Sequence, residues 1–245
     1  MVSLLLSLFL LPLSAFLEPG VLPAKWTVSG PNCMEVAAWQ VHEYNPNFFI
    51  LRQSGCIHYE KPFLYLIFGR DMALLEDTGA GQANTAPVVM DLVARWSKRN
   101  GRTAPVPLIV VHSHAHGDHT AGDAGFKGLP NVTLVAASVP ELQKAFGITT
   151  WPTDIVPIDL GRRIVDLIPI PGHDAASIAL YDRQTGILLT GDSFYPGRLY
   201  VGQAEFSTFV ASHQRLVDDS VDSVDSVDSV DSLTHLTHFD SFGAR

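Results

Sequence analysis

The sequence predicts an α/β protein built from two packed β-sheets with helices on the outside. Three observations carry that reading. Short apolar runs rich in β-branched and aromatic residues come first, then an amphipathic helix, then strands mixed with helices. At 245 residues, with 47% hydrophobic and only 17% charged side chains, the chain has the composition of one globular domain with a large interior. Glycine-containing turns separate the apolar runs at short intervals, as hairpins require.

Residues 35–77 read as strands, with short apolar runs at Asn47–Gln53, Phe63–Phe68 and Met72–Glu76. Gly69-Arg70-Asp71 supplies the hairpin turn between the last two. Residues 87–98 read as a helix: Val88, Leu92 and Trp96 recur at helical spacing, Pro87 suits the first turn and Asn100-Gly101 ends it. Leu108–Val111 is a buried strand and Val132–Ala136 another. Ser138-Val139-Pro140-Glu141 has the form of a capping box opening a short helix that stops near Gly147. Arg163–Ile170 is a strand, and Ile178–Tyr181 and Ile187–Thr190 form a hairpin across Asp182–Gly186. Phe206, Phe209, Val210, His213 and Val217 mark one face of a final helix, on which His213 is expected as a packed core residue.

The strand at Leu108–Val111 runs into His112-Ser113-His114-Ala115-His116-Gly117-Asp118-His119, four imidazoles and a carboxylate in eight residues. Alternate residues of an extended chain point the same way, so His114 and His116 can grip one ion. Asp118 and His119 lie past the strand, where the chain turns, and can face a second position. A surface histidine cluster is the alternative; the Asp inside the cluster and the core strand before it argue against that.

His-x-His-x-Asp-His after an apolar strand resembles the metallo-β-lactamase fold superfamily. Three further segments agree in order: Leu74-Leu75-Glu76-Asp77-Thr78-Gly79, Pro171-Gly172-His173 and Leu188-Leu189-Thr190-Gly191-Asp192. The resemblance spans roughly residues 35–217 and implies an αββα four-layer sandwich. It also implies a metal-ligand set of His114, His116, Asp118, His119, His173 and Asp192. His114, His116 and His173 would supply a first metal. Asp118, His119 and a bridging Asp192 would supply most of a second. Zinc fits this nitrogen and oxygen donor set best, two ions being expected, with manganese or iron as alternatives. A hydroxide held between two metals is nucleophilic near neutral pH. Asp77 is expected to brace the ligand loop. Asp118 and Tyr195 are the candidate catalytic residues; Tyr195 resembles a lactonase tyrosine that touches the substrate carbonyl, its alternative role being a loop aromatic covering the site. His112 lies outside the ligand pattern and is expected to be a satisfied supporting histidine.

Asp192 narrows the activity. Many true β-lactamases of the superfamily carry cysteine or serine there, whereas an aspartate resembles hydroxyacylglutathione hydrolases and lactonases. The expected function is therefore metal-dependent hydrolysis of an ester, thioester or lactone. The alternatives are a β-lactam hydrolase and a catalytically impaired metal-binding domain. The last alternative arises because the superfamily's final histidine ligand falls here in an unusual tail. His235 and His238 stand at a suitable distance, each after a Thr, but the sequence assigns neither.

That tail, residues 218–245, repeats Val-Asp-Ser four times from Val221 to Ser232 and Leu-Thr-His twice from Leu233 to His238. A period of three matches neither a helix face nor a strand, so it is expected to be disordered. Its seven Asp and one Arg account for −6 of the formal net charge of −9, which leaves the domain at residues 30–217 near neutral. No basic field suggests a nucleic-acid partner; the expected partner is a small-molecule substrate. Residues 1–17 form an apolar leader, expected as a signal peptide with Ala15 as the cleavage position and too short and interrupted for a membrane span. The expected location is secreted or periplasmic, with cytoplasmic as the alternative. Cys33 and Cys56 are the chain's two cysteines and are expected either to pair or to act as buried hydrophobes.

Overall fold

The structure is a computed structural model and describes residues 17–26, 36–82 and 84–222. The apolar leader up to residue 16, Cys33, and the repeat tail from residue 223, with His235 and His238, lie outside the described residues. Cys56 is disulfide-bonded.

Among the described residues, ten strands form two sheets. The first has six strands in sequence order: β1 (Trp39–Asn45), β2 (Phe48–Gln53), β3 (Phe63–Phe68), β4 (Ala73–Glu76), β5 (Leu108–Val111) and β6 (Val132–Leu134). β1 to β4 pair antiparallel through short turns. β4, β5 and β6 pair parallel, because helix α1 (Thr85–Arg99) carries the chain back across the sheet between β4 and β5. The second sheet is a meander of β7 (Val156–Asp159), β8 (Ile164–Pro169), β9 (Ile178–Asp182) and β10 (Ile187–Leu189), all antiparallel.

Alternation along the strands assigns the layers. In β2, Phe48 and Ile50 enter the core between the sheets, while Phe49 and Leu51 face α1. In β4, Leu74 lies between the sheets and Ala73 and Leu75 lie under α1. The second sheet does the same: Val165 and Leu167 of β8 face inward, Ile168 on its other face packs with Leu216 of helix α4 (Phe206–Asp222). Strands buried on both faces read as continuous apolar runs, which is what the sequence has at these positions. The result is the αββα order of helix, sheet, sheet, helix. Each fully buried Phe, Leu or Ile contributes on the order of 1.5–3 kcal/mol. On the α1 side, Trp96 stacks on Phe68 at 4.6 Å and donates its indole N–H to Asn47 Oδ1.

A buried ion pair ties the sheets. Arg163, in the turn before β8, makes a two-pronged contact with Asp182 at the end of β9 and donates to the carbonyls of Asn47 and Phe68 in the first sheet. Four of its five N–H donors find acceptors, and such pairing is what lets a guanidinium be buried.

Four features differ from the sequence reading. The domain reaches further toward the N-terminus than residue 30: Val21 donates its N–H to Tyr44, Glu18 to Gln184, and Trp26 packs edge-on against Phe63. These contacts are non-local and leave no local pattern. α4 runs to Asp222, past the boundary drawn at 217. β7 has only one buried residue, Ile158, so it gave no apolar run. Helix α3 (Val139–Phe146) forms and stops at Gly147 in the left-handed conformation, but Ser138 makes no side-chain cap; Pro140 at the second position has no N–H to be capped. No helix among the described residues is long and apolar enough to cross a membrane.

Glu76 ends β4 with both carboxylate oxygens buried and without a hydrogen-bond partner. Burial first, and then the neighbouring charge of Asp77, hold its pKa well above the usual carboxylate range. The native state therefore keeps a proton that the unfolded chain releases above about pH 4.3. Stability then falls as pH rises from that value toward the raised native pKa. Glu76→Gln should raise the melting temperature at pH 7–8 and leave it nearly unchanged at pH 4. Thermal denaturation of the chelated protein across that range checks this; an equal effect at both ends would contradict it.

Candidate metal centre

The site lies where β4, β5, β8 and β10 end. β5 delivers His112, Ser113 and His114; a single helical turn, α2 (Gly117–Thr120), places Asp118 and His119. The turn after β8 brings His173 and a 3₁₀ turn after β10 brings Asp192. Gly191 has φ +49, and a Cβ there would lie 2.5 Å from Ser113 Cβ, so only glycine lets this turn pass so close to the β5 loop.

Two clusters result. His114, His116 and His173 each offer an atom within 4.8 Å of the others, and so do His114, His119 and Asp192. The sequence grouped His114, His116 and His173 for one ion and Asp118, His119 and Asp192 for another; the structure brings the first three together and sets His114, in place of Asp118, with His119 and Asp192. Asp118 stands outside them and points at His119 Nε2, 3.1 Å away.

The histidine tautomers follow from their outer partners. Asp77 accepts the Ser113 backbone N–H at 2.8 Å, the Ser113 hydroxyl at 2.9 Å and His119 Nδ1–H at 2.6 Å. Because Ser113 gives its proton to Asp77, its oxygen is left to accept from His114 Nδ1, 3.1 Å away. His173 Nδ1–H donates to the Tyr200 carbonyl at 2.7 Å. That leaves His114 and His173 with Nε2 lone pairs facing the site. His173 Nε2 lies 3.1 Å from His116 Nδ1 and 3.9 Å from Asp192 Oδ2. His114 Nε2 is buried with no hydrogen-bond partner among the described residues. A buried orphan nitrogen among imidazoles and carboxylates fits a divalent metal, whose bond would satisfy it.

The electrostatics agree with the geometry. Burial first, then the charge of His119, push the His114 pKa down to about 3, so the ring is neutral and its lone pair free. Burial opposes a charge on His119, yet Asp77, Asp118 and Asp192 outweigh it and hold its pKa well above the usual histidine value. Burial would raise Asp77, Asp118 and Asp192, but His119 holds all three below the usual carboxylate range. Three carboxylates thus converge on a single imidazolium, a concentration of negative charge that suits a cation.

The remaining candidates fall around this centre. His112 is buried and directed away, toward the Val135 carbonyl and Asp123 Oδ1. Tyr195 donates its hydroxyl to the Arg198 carbonyl at 2.5 Å, within its own loop; burial, then Asp192 and Tyr200, raise its pKa. Sequence reasoning missed Ser113, Thr78 and Asp123. Thr78 Oγ1 donates to Asp123 Oδ1 and Thr78 N–H to the His119 carbonyl. These are small polar residues beside conspicuous ligands, and only their partners across the fold distinguish them.

Comparison with known proteins gives a consistent picture. The chain is 27% identical over 188 residues to the acyl-coenzyme A thioesterase MBLAC2 of Gallus gallus, an alignment covering 63% of this chain and 66% of that protein. It is 29% identical over 99 residues to the hydroxyacylglutathione hydrolase of Methylococcus capsulatus, covering 39% of this chain and 38% of that one. Among solved structures, the metallo-β-lactamase from Hirschia baltica superposes with a TM-score of 0.53 at 17% identity, covering 75% of this chain and 88% of that chain; this likeness is one of fold. The sequence profile of the metallo-β-lactamase superfamily matches residues 62–234, which takes in β3 to β10 and every residue of the two clusters. The chain belongs to the metallo-β-lactamase superfamily of hydrolases.

Proposed function

We propose that this hydrolase cleaves a thioester or a related ester or lactone, with zinc held by His114, His116 and His173 and by His119 and Asp192, and with Asp118 completing the second position. The observation that carries the metal reading is the buried, unpartnered His114 Nε2 between the two clusters. The thioester preference is supported by the names of the curated relatives, a thioesterase and a hydroxyacylglutathione hydrolase, and by aspartate rather than cysteine or serine at position 192.

Bound zinc would supply Lewis-acid polarisation of a carbonyl and a water acidified toward neutral pH. The protein's own groups do the rest. Asp77, Ser113 and the Tyr200 carbonyl fix three imidazole tautomers, so ligation needs no rearrangement of the rings. Asp118 and Asp192 both face His119 Nε2, at 3.1 and 3.5 Å, and their carboxylates can accept a proton from a nucleophile held there. The Tyr195 hydroxyl, now on the Arg198 carbonyl, reaches a substrate only if its loop turns.

A turnover panel of thioesters, aryl esters, lactones and nitrocefin should show thioester or ester hydrolysis that is lost on chelation and restored by zinc. Hydrolysis of nitrocefin alone would replace this reading with a β-lactam hydrolase, and two bound metals with no turnover would replace it with a silent binding domain. His116→Ala should remove one metal equivalent by elemental analysis and lower turnover by several orders of magnitude.

Asp77→Ala tests the bracing. It leaves His119 buried without its nearest carboxylate, a loss on the order of 3–5 kcal/mol for a buried pair, and it frees Ser113 and the β5 loop. Metal affinity should fall by roughly 10–100-fold. Calorimetry and zinc competition check the two parts; unchanged affinity in a folded variant would remove Asp77 from the site's support.

A further inference from the structure

Helix α4 is joined to both turns that carry the late ligands. Ser212 Oγ donates to the Pro171 carbonyl at 2.7 Å, and Arg215 donates to the Pro169 carbonyl at 2.6 Å. Gly172, at φ +145, sits so close that an added Cβ would lie 2.5 Å from Phe209 Cα. These contacts fix the turn of His173. In the other turn Gly191 packs against Ser113 and the Asp192 carboxylate faces His119 and His173, but among the described residues its backbone takes one hydrogen bond from outside the segment: His213 Nε2 lies 2.8 Å from the carbonyl of Ser193, the residue after Asp192.

His213 is therefore not the packed core histidine expected from its place on an apolar helix face. Its Nδ1 lies 2.8 Å from the Phe209 carbonyl, one turn back in its own helix. That carbonyl already has the helical N–H of residue 213 as a donor. A neutral ring carries one N–H, and the carbonyl outside the helix is the one that needs it. Phe209 stacks beside the ring at 4.0 Å and Phe194 stands at 6.1 Å, so the imidazole plane is held between the helix and the turn. The other hydrogen bonds of the Gly191–Ser193 backbone are internal: the Ser193 N–H donates to the Thr190 carbonyl, and the Thr190 hydroxyl reaches the Phe194 carbonyl, both within the same segment.

The geometry points to His213 as a positioning residue for Asp192, one that acts through the Ser193 carbonyl and sets where the carboxylate meets His119. This rests on the metallo-hydrolase reading above. A short turn whose backbone hydrogen bonds otherwise close within itself can pivot about the Gly191–Ser113 contact; a hydrogen bond from a helix that is also locked to the His173 turn removes that freedom. α4 thereby fixes the spacing of the two late ligands against each other, and no position in the ligand motifs encodes this.

The test uses His213→Leu, which keeps bulk without a donor, and His213→Gln, which keeps an N–H able to reach the Ser193 carbonyl. Hydrogen exchange of the metal-free full chain reads the tether. In His213→Leu, the amides of residues 191–194 should exchange roughly tenfold faster or more while β2, β3 and β8 are unchanged. Zinc competition with a chromophoric chelator reads the consequence: affinity should fall by roughly tenfold or more in His213→Leu and stay within about threefold in His213→Gln. No change in the turn, faster exchange throughout the domain, or a loosened turn with unchanged zinc affinity would each overturn the proposal. So would equal losses in both variants. Failure of the unsubstituted chain to bind zinc overturns the metallo-hydrolase reading instead, and the inference with it.

Discussion

The site depends on the carboxylate of Asp77. It sits at the end of β4 in the left-handed region, φ +67, a conformation that aspartate tolerates better than most residues. From there it gathers a backbone N–H, a hydroxyl and an imidazole N–H from a segment 36–42 residues away. Each contact has its own consequence. The N–H bond pins the end of β5, the hydroxyl bond orients Ser113 so that it can accept from His114, and the imidazole bond fixes the His119 tautomer. Without these, the imidazoles after β5 would sample many rotamers, and ordering them would cost an ion part of its binding energy.

That anchor works because the sheet beneath it is rigid. β4 and β5 are adjacent parallel strands, buried on both faces between α1 and the second sheet. Their carboxyl ends are therefore held at a fixed distance, and the loops that follow open on the same edge. The second sheet contributes the turns of His173 and Asp192 from the ends of β8 and β10. The Arg163–Asp182 pair and the shared core of Phe48, Ile50, Leu167 and Leu180 fix one sheet against the other. The metal clusters are thus assembled across a sheet–sheet interface, and packing between the layers sets their geometry.

The same edge carries an excess of negative charge. Asp77, Asp118 and Asp192 surround one imidazolium, while Glu76, one residue from the anchor, remains protonated because burial and Asp77 both oppose a second charge there. Two adjacent acids take opposite states for one reason. Asp77 has donors aimed at it and Glu76 has none. The domain tolerates this uncompensated acid at the end of a core strand, where the cost falls on stability and not on the site.

Much of this was legible in the chain. Short apolar runs and helical spacing identified eight of the ten strands described and three of the helices, because burial on a regular element leaves a local pattern. His114, His116, His119, His173 and Asp192 were conspicuous because imidazoles and carboxylates next to core strands are rare. Other features depend on residues far apart in sequence, and no local signal marks them. The segment from Leu17 to Trp26 lies along the sheet through backbone bonds that any residue could make. Ser113 matters only because Asp77 faces it, Tyr200 only because its carbonyl meets His173, and His213 only because the Ser193 carbonyl lies above its helix. The sequence by itself determined most of the strands and which side chains can ligate. Tertiary structure alone decided which nitrogen of each ring faces inward and how far apart the ligands stand, since those depend on hydrogen bonds that close only when the layers have packed.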